Sequence, residues 1–509
     1  MTATDDGTVA SGVVLADPSS GRGRRGRRGA HSPSGDRRHR RWPWIVLAVA
    51  LVLIGAGTWF AVRRIDAPLP PAVPHPATET GTVVPGPDPA LPWPAKGQGA
   101  VSVPAIGYSA QSGPESPVPV ASLTKITTAV VILRDHPLGP DDQGPVITVS
   151  SADVAQYDLE LHMDESTVAI EVGEQLTERQ ALEALLTQSA NDVAYTLAVW
   201  DAGSIDAFVV KMNALATSLG DTDTHYVDAS GYDPQTVSSA SDVLRMAAVG
   251  MAIPTFADIV GMTQVTLPLA GTLHNIVSQI GVGGVIGVKS GYTSQAGACL
   301  VLAANRLIDG RTLLVLVAVT GQPTPPPTAP TTTTTTRPPG TTTTTTRPPG
   351  TTTTTTTLPL DDEPVADPFK YAGPTTQVLL AAAQGGISRV TVATRGGVAG
   401  TVTSTWGGAT HAASYVTAAD AWLPGWPGQA VRALTKFRAV APGSSAGTRV
   451  GSTLFAVGTQ FEVVPLRLRQ AVPEPSLWWR LRHGGVGASP TPTSSTSTAP
   501  TTAPASTTG

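Results

Sequence analysis

The chain has 509 residues, 52 of them glycine and 46 proline, and its 33 lysines and arginines against 37 aspartates and glutamates leave a net charge of −4. That length exceeds one ordinary domain, and the bias excludes a fully globular chain. A single cysteine, Cys299, excludes an internal disulfide framework; lying in an apolar run, it reads as a buried core thiol.

Residues 1–41 are polar and carry nine arginines between Arg22 and Arg41, the pattern of a disordered basic tail. Alone, such a run suggests nucleic acid. The next segment points to a membrane instead. Residues 42–62 are an almost uncharged apolar stretch of spanning length, with Trp42, Trp44 and Trp59 near its ends. Arginines before it outnumber the Arg63–Arg64 pair after it, so the tail is expected in the cytosol and the rest outside the cell membrane. A cleaved signal peptide fits less well, because no small-x-small site precedes Arg63. Residues 1–64 hold 11 Arg and 4 Asp, net +7, which leaves 22 basic against 33 acidic residues, net −11, in the remainder. An acidic ectodomain excludes nucleic acid as a partner.

Residues 63–97 are proline-rich, an expected extended spacer. Globular patterning begins at Gln98, with a strand expected over Val101 to Tyr108. Val120-Ala-Ser-Leu-Thr-Lys125 then opens an amphipathic helix whose apolar face is Leu123, Ile126, Ala129, Val130 and Leu133, so Ser122 and Lys125 stand one turn apart. A serine hydroxyl attacks well only when a base takes its proton, and a desolvated lysine is such a base. Lys125 is the one lysine of six with a serine three positions before it.

Thr177-Glu-Arg-Gln180 reads as a capping box opening a helix. That helical pattern is interrupted at Ser189-Ala-Asn191, the chain's one Ser-x-Asn. Helices are expected at Ile205 to Leu219 and Ala240 to Met251. Strands are expected at Val285 to Thr293, Ala298 to Asn305 and Thr312 to Thr320, with Asp309-Gly310 turning the last hairpin. The first of these carries Lys289-Ser290-Gly291 followed by Tyr292. The plan is α+β, an antiparallel sheet with a helical cluster.

Residues 323–368 are a Thr/Pro-rich repeat, extended and open to O-glycosylation. This tract is either an insertion, with 369–386 as the last helix of the 98–322 domain, or an interdomain linker. Residues 387–487 alternate β-branched runs with glycine-rich turns and read as a small C-terminal β domain. Within it, Leu477-Trp-Trp-Arg-Leu-Arg482 is expected to pack on that domain, with a dip into a membrane interface as the alternative. Residues 488–509 form a disordered Ser/Thr/Pro tail.

Each motif has a structural reading by itself: Ser122 as a helix N-cap, Ser189 and Asn191 as turn formers, Lys289 as a strand-edge lysine. Their order and flanks together resemble the D-alanyl-D-alanine carboxypeptidase family of low-molecular-mass penicillin-binding proteins. The resemblance covers roughly 98 to 322. Ser290 stands where the family usually has threonine, the segment before Ser122 is short and proline-rich, and Thr236 to Asp242 departs from the family's usual His-Tyr.

The resemblance implies a β-lactamase/transpeptidase-like fold for this domain and a set of roles. Ser122 would be the nucleophile and Lys125 its base, held neutral by burial and by a positive Lys289. Ser189 would relay a proton to the leaving amine, and Asn191 would hold the substrate amide. The backbone N–H groups of Ser122 and Tyr292 would form the oxyanion hole; Lys289, Ser290 and Gly291 would receive the substrate's terminal carboxylate and backbone. The implied partners are a peptidoglycan stem peptide as substrate and β-lactams as inhibitors, without cofactor or metal. A class A-like β-lactamase is the nearest alternative, although no Glu-x-x-x-Asn lies between Ser189 and Lys289. An inactive cell-wall-binding scaffold is the alternative from another class.

Overall fold

The computed structural model describes residues 42–77, 82–324 and 367–484. The basic tail, almost all of the threonine tract and the Ser/Thr/Pro tail lie outside the described residues. Helix α1, Trp42–Ile65, has 24 residues, a mean hydropathy of 2.5 and no buried position, so it is long and apolar enough to cross a membrane. It runs past the expected end at Val62 to take in Arg63 and Arg64, whose positive charge suits a helix C-terminus.

The α+β plan is present in residues 98–322. One sheet has five antiparallel strands in the order Val285–Thr293, Gly297–Ile308, Arg311–Gln322, Gln98–Val103, Tyr108–Gln111. Alternation divides its side chains between two cores. Cys299, Val301 and Ala303 face one core with Leu316 and Ala318, while Leu300, Leu302, Val315 and Val317 face the other. Asp309 and Gly310 turn the central hairpin with φ of 45° and 82°, as an Asp-Gly pair does. At the sheet's start the structure differs from the single strand expected over Val101 to Tyr108. Pro104 opens a 3-10 turn, Gly107 reverses the chain at φ 65°, and a hairpin results.

The first core is covered by helices. Central among them is α2, Thr124–Asp135, buried from Thr124 to Leu133. Around it pack α3, Ser151–His162, and α4, Glu178–Thr187, each opened by a capping box, Ser150 with Asp153 and Thr177 with Gln180. They are followed by α5, Asn191–Ala202, α6, Ile205–Leu219, α7, Ala240–Met251, and α8, Pro254–Val260.

The second core, on the opposite face, receives α9, Ala372–Gly386, through Ala372, Leu379, Leu380 and Ala383. Beyond α9 a β domain follows. Its larger sheet has seven strands in the order Val73–Pro76, Val398–Trp406, Ala409–Thr417, Gln460–Leu468, Arg449–Val457, Ala430–Phe437, Thr82–Val83. Two of these come from the expected spacer. Residues 73–76 and 82–83 are the outermost strands, pairing with Val398–Trp406 and Ala430–Phe437 respectively, because an edge strand tolerates proline on its unpaired side. The β domain meets the first sheet through Trp426, which is fully buried, stacks on Tyr108 at 4.0 Å and donates through Nε1 to Asp88. At the Asp309–Gly310 hairpin, Arg389 pairs with Asp309, and nearby Arg311 pairs with Glu462.

The segment after Glu474 belongs with α1 as a separate compact unit. Helix α10, Leu477–His483, is capped by Ser476 and seats at the C-terminal end of α1. Arg64 donates to the carbonyls of Leu481 and Arg482 at 3.2 and 2.9 Å, and Arg480 to that of Ile65 at 2.9 Å. The last carbonyls of a helix lack partners within it, and these arginines supply them.

Candidate active site

Ser122 lies in a 3-10 turn, Ala121–Leu123, immediately before α2, and Ala121 takes a left-handed φ of 49°. The serine is thus not the helix cap; Leu123 is, and no side chain caps α2. Two glycines let other segments close on this turn. A Cβ on Gly291 would stand 2.7 Å from the Ser122 nitrogen, and one on Gly231, where φ is 80°, would stand 1.9 Å from the Ala121 carbonyl oxygen. The Lys289-Ser290-Gly291 strand and the 228–233 loop are pressed against the nucleophile from both sides.

Lys125 is completely buried. Its Nζ donates to Ser122 Oγ at 2.9 Å, to the Ser230 carbonyl at 2.9 Å and to Asn191 Oδ1 at 2.5 Å. Three acceptors match the three protons of an ammonium group. Burial lowers its pKa to about 8, although Asp228, Glu160, Glu165 and Asp192 pull the other way. The expected influence of a positive Lys289 is reversed: burial and the Lys125 charge push Lys289 itself well below its ordinary value.

Asn191 begins α5, where α4 and α5 are joined through Ser189 at φ 62°. Ser189 is buried, and its hydroxyl makes no hydrogen bond to Ser122 or Lys125 among the described residues. Lys289 is also fully buried and donates to the Ser290 carbonyl at 2.9 Å. The Ser290 hydroxyl is buried without a hydrogen-bond partner among the described residues, a group that costs free energy unless a ligand satisfies it. The Tyr292 side chain is 45% exposed, so its ring is free of the core.

Two parts of the site were not anticipated. Asp228 accepts from Ser230 Oγ, Gly231 N and Tyr232 N, each at 2.9 Å, and from Thr236 Oγ1, which fixes the loop that aims the Ser230 carbonyl at Lys125. Asp-x-Ser-Gly is a turn signature, so this loop had a signal. Glu165, in the turn after α3, accepts from Asn191 Nδ2 through Oε2; an isolated glutamate carries no such signal.

Residues 109–320 match the family model described as D-alanyl-D-alanine carboxypeptidase. A D-alanyl-D-alanine carboxypeptidase of Streptomyces sp. strain K15 is 30% identical over 210 residues, 38% of this chain and 69% of that protein. The chain belongs to the D-alanyl-D-alanine carboxypeptidase family. Also similar are D-alanyl-D-alanine carboxypeptidase DacB2 of Mycobacterium tuberculosis, 36% identical over 204 residues, and a D-alanyl-D-alanine endopeptidase of Pseudomonas aeruginosa, 30% identical over 214. The matches cover 39% and 40% of this chain, and the chain spans 65% of the length of each of these two relatives. The crystal structure of the Streptomyces K15 DD-transpeptidase matches at 26% identity with a TM-score of 0.40, covering 46% of this chain and 92% of that one. Both carboxypeptidase and endopeptidase names therefore occur among relatives of this D-alanyl-D-alanine carboxypeptidase family chain.

Proposed function

We propose that the chain is a membrane-anchored, serine-type D-alanyl-D-alanine carboxypeptidase acting on peptidoglycan stem peptides. One observation carries this reading: a fully buried lysine amine lies 2.9 Å from the hydroxyl of a serine whose backbone touches the Lys289-Ser290-Gly291 strand. With Lys125 neutral, its lone pair accepts the Ser122 proton as Oγ attacks the carbonyl between the two terminal D-alanines. The backbone N–H groups of Ser122 and Tyr292 face the developing oxyanion; such a donor typically contributes about 3 to 4 kcal/mol. The C–N bond breaks, the departing D-alanine takes a proton by way of Ser189, and an ester remains on Ser122. Asn191 holds the substrate backbone. Lys289, charged once the carboxylate arrives, and the unpartnered Ser290 hydroxyl bind the terminal carboxylate. Water then cleaves the ester, and a β-lactam stops the cycle at the acyl stage.

Residues 98–322 together with α9 would form the catalytic unit, with the threonine tract inserted within it; the support is α9's burial against the sheet. The arginine excess before α1 supports a cytosolic N-terminus and a catalytic unit in the cell-wall space.

Intact-mass measurement after exposure to a penicillin tests the reading, with Ser122→Ala as control. A lasting adduct of one drug molecule on the native chain alone, with D-alanine released from a stem pentapeptide, is expected. Fast drug hydrolysis without an adduct would favour a β-lactamase, and no reaction from folded protein would favour a scaffold.

A further inference from the structure

The side-chain amide of Asn191 has both ends engaged. In its charged form Lys125 can only donate, so Asn191 turns its oxygen toward that amine. The Nδ2 group is then directed outward, and there it donates to Glu165 Oε2. Ser122, Lys125, Asn191 and Glu165 thus form a continuous hydrogen-bonded chain from nucleophile to carboxylate. Glu165 is itself held by the backbone: its N–H donates to the Glu160 carbonyl at 3.0 Å, and the Asn191 N–H donates to the Ser166 carbonyl at 2.7 Å. The turn after α3 and the start of α5 are stitched together at this point.

We infer that Glu165 is a positioning residue for acylation, locking the Asn191 amide in the orientation that holds Lys125 against Ser122. The inference rests on the Ser122–Lys125 chemistry proposed above. A carboxylate accepts more strongly from an N–H than a neutral group does, and Asn191 without it would be free to rotate its oxygen away from Lys125. When ionised, Glu165, whose pKa burial raises, also adds negative charge to the groups around Lys125. These are Glu160 on α3, Asp192 on α5, Asp228 in the 228–233 loop and the basic Lys289 on the strand. Neutralising Glu165 therefore lets Lys125 lose its proton at lower pH.

The test compares the full-length chain in detergent with Glu165→Gln and Glu165→Ala, following the rate of penicillin adduct formation by intact mass from pH 6 to 9. Glutamine keeps an acceptor for Asn191 and removes the charge, so the acid limb of its profile is expected to move to lower pH. Alanine removes the acceptor as well, and its plateau rate is expected to fall by roughly 10-fold or more, the scale of a lost hydrogen bond to a charged group. Recovery of that plateau by glutamine, with equal melting temperatures for both variants, distinguishes positioning from a folding defect. Wild-type rates and an unmoved profile in both variants would overturn this inference alone. Absence of an adduct on the native chain would overturn the acyl-enzyme reading and this inference with it.

Discussion

Lys125 is held by three acceptors, which is an arrangement suited to its charged form, whereas a base needs its lone pair free. The conflict is resolved by titration. With burial bringing its pKa to about 8, the neutral share below that point grows about tenfold per pH unit. The rate of acylation by a penicillin is therefore expected to rise about tenfold from pH 6 to 7 and to level off above roughly pH 9. A flat profile over that range, measured on the native chain, would contradict Lys125 as the base. Gly291 gives a second expectation. A methyl group there would meet the Ser122 nitrogen at 2.7 Å, inside contact distance, so Gly291→Ala should displace the strand from the nucleophile. An acylation rate reduced about tenfold or more is expected, with some loss of melting temperature because the obstructing atom is backbone; an unchanged rate would show that the strand does not set the geometry. At this scale Ser122, Lys125 and Asn191 were legible because helical spacing and a broken helix bring side chains together by local rules. The Ser230 acceptor was not, since a backbone carbonyl has no residue signature. Nor was Glu165, an isolated glutamate 26 residues before its partner Asn191.

Among the elements, α6 and α7 lie where the apolar spacing puts them, since Ser204 and Ser239 cap them and their buried faces are continuous. Helix α3 had no comparable pattern. Its buried positions are Asp153 and Glu160, and polar burial defeats a reading based on hydrophobic periodicity. Helix α9 has the opposite character, with Leu379 and Ala383 fully buried against the sheet. Leu379→Ala is expected to cost about 2 to 5 kcal/mol, read as a lowered melting temperature for the unit that includes residues 98–322. An unaltered melt would mean that α9 is not part of that core. Prolines concealed the strands at 73–76, because proline argues against a central strand and says nothing against an edge.

For the molecule as a whole, the decisive feature is that residues 73–76 and 82–83 cover both edges of the seven-stranded sheet. An uncovered edge is a template for pairing with another chain. A chain begun at Gln98 should accordingly melt lower and self-associate more, by light scattering, than one begun at Leu69. Equal behaviour would show that these strands are dispensable.

The same pairing sets an order in time. Val73 lies opposite Thr403, 330 residues on, and Tyr415 reaches back to the His75 carbonyl 340 residues away, so the first strand of this sheet to be synthesised waits for partners far along the chain. Contacts that distant close late. The α+β domain has its own sheet and helical cluster complete by residue 322, while α9 and the β-domain residues that pack on its second face, Trp426 among them, come later. The β domain then packs on the sheet face opposite the helices that carry Ser122 and Lys125, and a chain cut short within residues 398–468 would leave its earliest strands without partners.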